Sequence, residues 1–182
     1  MIHKEITVVI DYGASNTLSV LRALDYLGHP YTLTNEKKVI NIAKNLLLPG
    51  VGAFPDAMEK LKKTGLDNAI KKHVKNKKPI FGICLGMQLL FTRSFEFQCV
   101  SGLNLLKGDV LKIPNNINHK KKIRVPNIGW RNLKIPNNID KWEGTPLQKI
   151  KQGQSLYFAH SYRVVPEDNK QVIAYCDYEG LN

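Results

Sequence analysis

Pro79-Ile80-Phe81-Gly82-Ile83-Cys84-Leu85-Gly86-Met87-Gln88-Leu89-Leu90-Phe91 is the stretch on which the reading of this chain turns. An apolar, strand-like run (79–81) leads into Gly82-Ile83-Cys84-Leu85-Gly86, and a helix-like run (87–91) leads away. That is the strand–nucleophile–helix order of a G-x-S-x-G elbow with cysteine in the serine position. The turn is so sharp that side chains two residues either side of the nucleophile would collide, so glycine suits both places. The cysteine is lifted off the sheet edge at a helix N-terminus, where unpaired amides and the helix dipole favour a thiolate. The amide of Leu85 can face a developing oxyanion. The plainer alternative is a buried cysteine at a glycine-punctuated strand end, since free cysteine often serves as a small core hydrophobe.

Outward from this elbow the chain alternates strand and helix. Ile6 to Ile10 reads as a buried first strand and Asp11 to Asn16 as a turn. Thr17 to Leu27 reads as a helix carrying Leu18, Leu21, Leu24 and Leu27 on one stripe, stopped by Gly28. Tyr31 to Thr34 and Leu46 to Leu48 are further strands, the latter ending in Pro49-Gly50-Val51-Gly52. Helices are expected around Pro55–Lys63 and Leu66–Asn76, before the strand that feeds Cys84. Strands and helices alternating at this length predict an α/β fold, a largely parallel sheet with helices on both faces. After Gly102 the texture changes: 110–113, 133–135, 156–159 and 172–175 read as strands with little helix between them. No linker stands out, so residues 1–182 are expected to form a single domain. Ligands of open parallel sheets bind at the carboxyl ends of strands. Three loops qualify: 11–16, 49–52 and 82–86. The glycines of 49–52 suit either a second oxyanion amide or a plain turn.

The chain has 182 residues and a net charge of +12, with 43% hydrophobic and 23% charged residues, which is ordinary globular material. No apolar run is long enough to cross a bilayer, and the start leads directly into a strand, so neither membrane span nor signal peptide is expected. Cys84, Cys99 and Cys176 are too widely spaced for a disulfide framework or a metal knuckle. A working thiolate suits a reducing cytoplasm. The positive charge concentrates in Lys71 to Lys78 and Lys120-Lys121-Lys122. The first run ends an amphipathic helix, where cations favour the dipole, and the second lies in an Asn-rich loop. Neither is interleaved with aromatics that could stack on bases, so no nucleic-acid partner is read from the charge.

Four blocks together resemble class I glutamine amidotransferases: D-Y-G-x-x-N at 11–16, L-P-G-V-G-A-F-P-D-A-M at 48–58, G-I-C-L-G-M-Q-L-L-F at 82–91 and Y-F-x-H-S-Y at 157–162. Within that family the likeness is greatest to the glutaminase subunit that serves histidine biosynthesis, and Gly129-Trp130 fits it too. The resemblance runs from the first strand to the end of the chain. It implies a flavodoxin-like fold without cofactor or metal. Cys84 would attack the side-chain amide of glutamine, and water would release glutamate from the glutamyl thioester. Ammonia would pass to a separate (β/α)8-barrel synthase subunit in a heterodimer. Gly52 and Leu85 would line the oxyanion site. Gln88, Ser161 and Tyr162 would hold glutamine, and Asn16 and Trp130 would lie at the partner interface. A thioester route splits amide hydrolysis into two easier steps, and Gln88, one helical turn beyond Cys84, shares its face.

The resemblance also implies a histidine and a glutamate from a late His-Pro-Glu motif, and residues 1–182 contain none. The chain therefore reads as an amidotransferase domain lacking its C-terminal end and impaired in turnover. His160 belongs to a separate element. His3, His29, His73 and His119 read as solvated surface imidazoles. Ser15 stands where the family commonly has glycine, and Ser94-Phe95-Glu96 lacks one acidic residue usual after the nucleophile helix. Three other readings remain open at this point. The chain could be a paralogous subunit that supplies ammonia for modifying surface-polysaccharide sugars. It could be a non-catalytic docking subunit, or a cysteine hydrolase or redox protein using Cys84 and His160.

Overall fold

The computed structural model describes residues 6–13, 16–117 and 121–181. Expectations resting on His3, Ser15, His119 and Lys120 lie outside them. The chain divides into two compact units, Met1–Val110 and Leu111–Asn182.

The first unit holds β1 (Thr7–Ile10), α1 (Thr17–Tyr26), β2 (Tyr31–Thr34), α2 (Lys37–Ile42), β3 (Asn45–Gly50), α3 (Phe54–Thr64), α4 (Leu66–Lys75), β4 (Ile80–Cys84) and α5 (Leu85–Gln88). Strands β1 to β4 form one wholly parallel sheet in the order β2-β1-β3-β4. The innermost strands are apolar runs rather than alternating ones, as a sheet buried on both faces requires. Val8, Val9, Ile10, Leu46 and Leu48 are all buried. Phe54, Met58 and Leu61 of α3 and Leu66 and Ile70 of α4 close over this core, each such side chain contributing roughly 1.5–3 kcal/mol by leaving water. Gly65 adopts φ +69 and serves both as the C-cap of α3 and as the entry to α4, a left-handed position that favours glycine.

Several elements differ from expectation. The helix at 37–42 carries no marked sequence signal and was not foreseen. α1 forms where its leucine stripe predicts, yet none of its residues is buried, and Leu18 and Leu27 stand more than half exposed. The nucleophile helix spans only 85–88 instead of reaching Phe91. After it come two short strands, β5 (Arg93–Ser94) and β6 (Val100–Ser101), which pair antiparallel. β7 (Gly108–Lys112) runs parallel to β5 and carries the chain into the second unit.

The second unit contains β8 (Asn116–Ile117), β9 (Lys121–Lys122), β10 (Asn127–Asn132), β11 (Ser155–His160) and β12 (Tyr162–Pro166). β10 and β11 form an antiparallel ladder that sets Trp130 opposite Tyr157. The strands expected at 133–135 and 172–175 are not there. Among the described residues the two segments meet only in a single antiparallel bridge, Lys134 to Tyr175. The Leu133-Lys134-Ile135 segment directly follows the true strand, β10, which is broken up by Gly129, Trp130 and Arg131 and so lacks a clean period. A small core of Ile113, Ile123 and Tyr178, with Val125 and Leu181 against it, anchors this unit.

Candidate active site

Cys84 closes β4 and precedes α5, at φ +54 and ψ −119. A non-glycine residue at positive φ is strained, and such strain collects at working positions. Its neighbours show why the turn is built from glycine. A Cβ on Gly82 would come within 2.6 Å of the Met87 Cα. A Cβ on Gly86 would overlap the carbonyl oxygen of Leu48 in β3. The collision expected between flanking side chains is thus a collision with backbone: the elbow lies flat on the end of the adjacent strand. Cys84 is exposed and free, so the buried-cysteine alternative is excluded. Because α5 is one turn long, any help to a thiolate comes from local amides rather than from a long helix dipole.

β3 runs through Pro49 and Gly50, which pair with Ile83 and Cys84. The loop beside the elbow is accordingly 51–53, shorter than expected. Gly52 within it has φ +94 and open space where a side chain would stand; its glycine is required by backbone conformation, not by crowding. The far end of this loop is fixed by Glu96, whose carboxylate accepts a hydrogen bond from the Phe54 amide at 2.8 Å, the favourable place for an anion at a helix N-terminus. Leu85 and Gln88 are both buried, Gln88 one turn after Cys84 as its spacing predicts. Asn16, at the start of α1, is exposed.

The remaining expected site residues belong to the second unit. Ser161 joins β11 to Tyr162, the first residue of β12, and the Ser161 carbonyl accepts from the Ile113 amide at 2.9 Å. Trp130 is 67% exposed beside the equally outward Tyr157, their ring centroids 5.6 Å apart at an edge-on angle of 71°. His160 is committed on both ring nitrogens: Nδ1 lies 2.9 Å from the Tyr162 carbonyl and Nε2 lies 3.0 Å from the Asn127 side-chain amide. The Tyr162 carbonyl can only accept from Nδ1, and the Asn127 amide group faces Nε2. Asn127 is itself buried and accepts from the Arg131 guanidinium. His160 thus ties β10 to the start of β12 through its two ring nitrogens.

Two histidines depart from the surface reading. His73 is fully buried, its Nε2 3.0 Å from the Pro79 carbonyl, and burial pushes its pKa down. The signal was present: Leu66, Ala69, Ile70 and His73 fall on one helical stripe. His29 is half-buried and meets the Thr7 hydroxyl at 2.8 Å. Sequence reasoning also missed Tyr12, an aromatic in a turn motif, which is buried next to the elbow. Among the described residues no group of three potential metal ligands occurs, and no helix is long and apolar enough to cross a membrane.

Comparison with known proteins agrees with this geometry. Residues 8–181 match the family described as glutamine amidotransferase class-I, and the chain belongs to it. It is 44% identical over 173 residues to imidazole glycerol phosphate synthase subunit HisH of Aquifex aeolicus, covering 94% of this chain and 78% of that protein. The same-named subunit of Syntrophotalea carbinolica is 42% identical, with 94% and 81% covered. Among solved structures, a glutamine amidotransferase superposes with a TM-score of 0.68 at 16% identity, over 92% of this chain and 78% of that one. PurLQS from Thermotoga maritima does so with 0.63 at 23%, over 97% and 77%. At such identities these two establish the fold alone, a class I amidotransferase fold of flavodoxin-like type.

Proposed function

We propose that this chain is the glutaminase subunit of an imidazole glycerol phosphate synthase, acting in histidine biosynthesis. One observation carries the chemistry: Cys84 stands exposed at positive φ between a strand and a helix, with glycines where any side chain would strike backbone. In the proposed reaction the Cys84 sulfur bonds to the carboxamide carbon of glutamine. The amides of Leu85 and of the Gly52 loop stabilise the oxyanion. The carbon–nitrogen bond breaks, ammonia leaves with the proton, and water hydrolyses the thioester to glutamate. Gln88, Ser161 and Tyr162 are proposed to hold the substrate. The family match spans both compact units, which supports their working as one amidotransferase domain.

The partner is proposed to be a (β/α)8-barrel synthase subunit, in a heterodimer located in the cytoplasm. Trp130 supports this: a large exposed aromatic backed by a second one is the composition of an interface anchor. Asn16 is proposed as a further contact. The deciding experiment is labelling with a glutamine-analogue chloroketone followed by peptide mapping. Cys84 is expected to react first and to be protected by glutamine. Preferential labelling of Cys99 or Cys176, or no protection, overturns the assignment.

A further inference from the structure

We propose that the buried hydroxyl of Tyr12 is a positioning donor for the sulfur of Cys84, held ready to hydrogen-bond the thiolate. The placement follows from strand register. Val9 of β1 is opposite Leu47 of β3, and Gly50 of β3 is opposite Cys84 of β4. Tyr12 and Gly50 each lie three residues beyond the first of these pairs. Tyr12, Gly50 and Cys84 therefore form one row across the carboxyl ends of three adjacent strands. Strands are about 4.8 Å apart, so a tyrosine reaching from the first member must cross the middle one to arrive at the third. The middle one is glycine. A Cβ there would lie 2.7 Å from the Tyr12 Oη and 2.6 Å from the Gly86 amide nitrogen. The phenol thus occupies the space that Gly50 leaves empty, against the turn that presents the nucleophile.

Tyr12 is only 3% exposed, and among the described residues its hydroxyl has no hydrogen-bond partner. A buried donor left without a partner is costly, and phenylalanine would fill the same space without that cost. A donor kept there suits a partner that appears only during the reaction, and the thiolate is such a partner. Burial first, and the charge of Cys84 second, push the Tyr12 phenol far above its ordinary range. The hydroxyl consequently stays protonated and donates; it does not act as the base that takes the sulfur's proton. No other titratable side chain lies on β1, β3, β4 or α5. On the loop from β1, Asp11 accepts from the Gly13 amide and Lys60 of α3 donates to the Gly13 carbonyl, so both are engaged away from the sulfur.

This inference rests on Cys84 being the nucleophile, and one experiment separates the two. The rate of Cys84 carboxamidomethylation by iodoacetamide is measured from pH 6 to 10 in the wild-type chain and in Tyr12→Phe, with site assignment by peptide mapping. Loss of the donor is expected to move the Cys84 midpoint upward by about half to one pH unit, slowing labelling at pH 7 by roughly threefold to tenfold. Cys99 and Cys176 are expected to label as before. Replacing Tyr12 by 3-fluorotyrosine, a stronger donor of nearly the same shape, should move the midpoint the other way and guards against a folding defect in Tyr12→Phe. Profiles that superimpose for all three proteins, or a downward shift in Tyr12→Phe, overturn the role of Tyr12. Labelling that never favours Cys84 breaks the nucleophile assignment instead.

Discussion

The two compact units are held together by different physics. In the first, apolar strands and the inward stripes of α3 and α4 bury whole side chains, Leu46, Leu48, Phe54, Leu61 and Ile70 among them. In the second, the core cluster is small and long-range polar contacts take over. The Trp142 indole donates to the Ile173 carbonyl at 2.6 Å, the Tyr178 hydroxyl donates to the Arg124 carbonyl at 2.6 Å, and Arg131 lies over the Tyr178 ring. The first unit places Cys84 at the end of an edge strand of its parallel sheet, where tenths of an ångström matter to the reactivity of a side chain. The second displays exposed aromatics on a two-stranded ladder, a surface suited to being covered. The difference teaches that a buried apolar sheet and a ladder held by long-range polar contacts answer to different substitutions.

The sharpest break in this comparison comes from the nucleophile. In a polypeptide where residues 1–182 are followed by a strand and a His-Pro-Glu turn, Cys84→Ala should abolish glutamate release with the barrel partner present. Residues 1–182 alone should turn over about 10²–10⁴-fold more slowly than that longer polypeptide, the usual contribution of a positioned base. Equal turnover by both would mean that another group acts as base. Next in size is Gly86→Ala. Its Cβ would overlap the Leu48 carbonyl, so the elbow must open or β3 must shift. A stability loss of about 3 kcal/mol or more in urea is expected, a magnitude typical of steric overpacking against backbone. An unchanged midpoint would show that the elbow does not rest on β3 as described.

Substitutions in the second unit should act differently. Trp130→Ala should leave the melting temperature nearly unchanged while weakening binding to the cognate barrel by about 2 kcal/mol, roughly thirtyfold. Unaltered affinity in calorimetry would remove this face from the interface. His160→Gln should cost about 1–2 kcal/mol of stability, because the Asn127 amide and the Tyr162 carbonyl lose their shared partner. The rate of Cys84 alkylation should stay as in the wild type. A slower, pH-shifted alkylation would instead make His160 a functional base.

What could be read from the sequence follows the same division. β1, β3, β4 and the elbow were legible because each depends on local, strong signals: continuous apolar runs and a glycine pair whose necessity is steric. The need for glycine at Gly82 and Gly86 follows from the residue pattern alone. The second unit resisted because its main strands, β10 and β11, mix polar and apolar residues without a continuous apolar run, and its stabilising contacts join residues far apart in the chain, as Trp142 joins Ile173. The triplet at 133–135 looked more strand-like than Gly129-Trp130-Arg131, yet the ladder runs through the latter. Tyr12 could not be placed from sequence, because its burial depends on the empty side-chain position of Gly50 two strand connections later. His73 reads as a surface residue from its place near a helix end, whereas the 66–69–70–73 stripe points inward.

That histidine gives the smallest effect. Burial lowers the His73 pKa below its ordinary 6.5 in the folded chain, while the neighbouring Pro79 carbonyl opposes the shift only in part. The unfolded chain therefore binds the proton more readily. Above about pH 6.5 both states are neutral at this site and His73 places no proton-linked load on folding. As the pH falls below 6.5 the unfolded state takes up a proton first, and stability declines until the folded-state pKa is passed. One proton limits the slope to about 1.4 kcal/mol per pH unit. Urea titrations at pH 5 and pH 7.5 should show the wild-type chain weaker at the lower pH. His73→Leu, which fills the site without a titrating group, should reduce that difference even if it lowers stability at both values by leaving the Pro79 carbonyl with the Leu46 amide but without the imidazole. A pH dependence identical in the two proteins would mean that His73 is already free to protonate in the folded state, and that the inner face of α4 is more open to water than its packing shows.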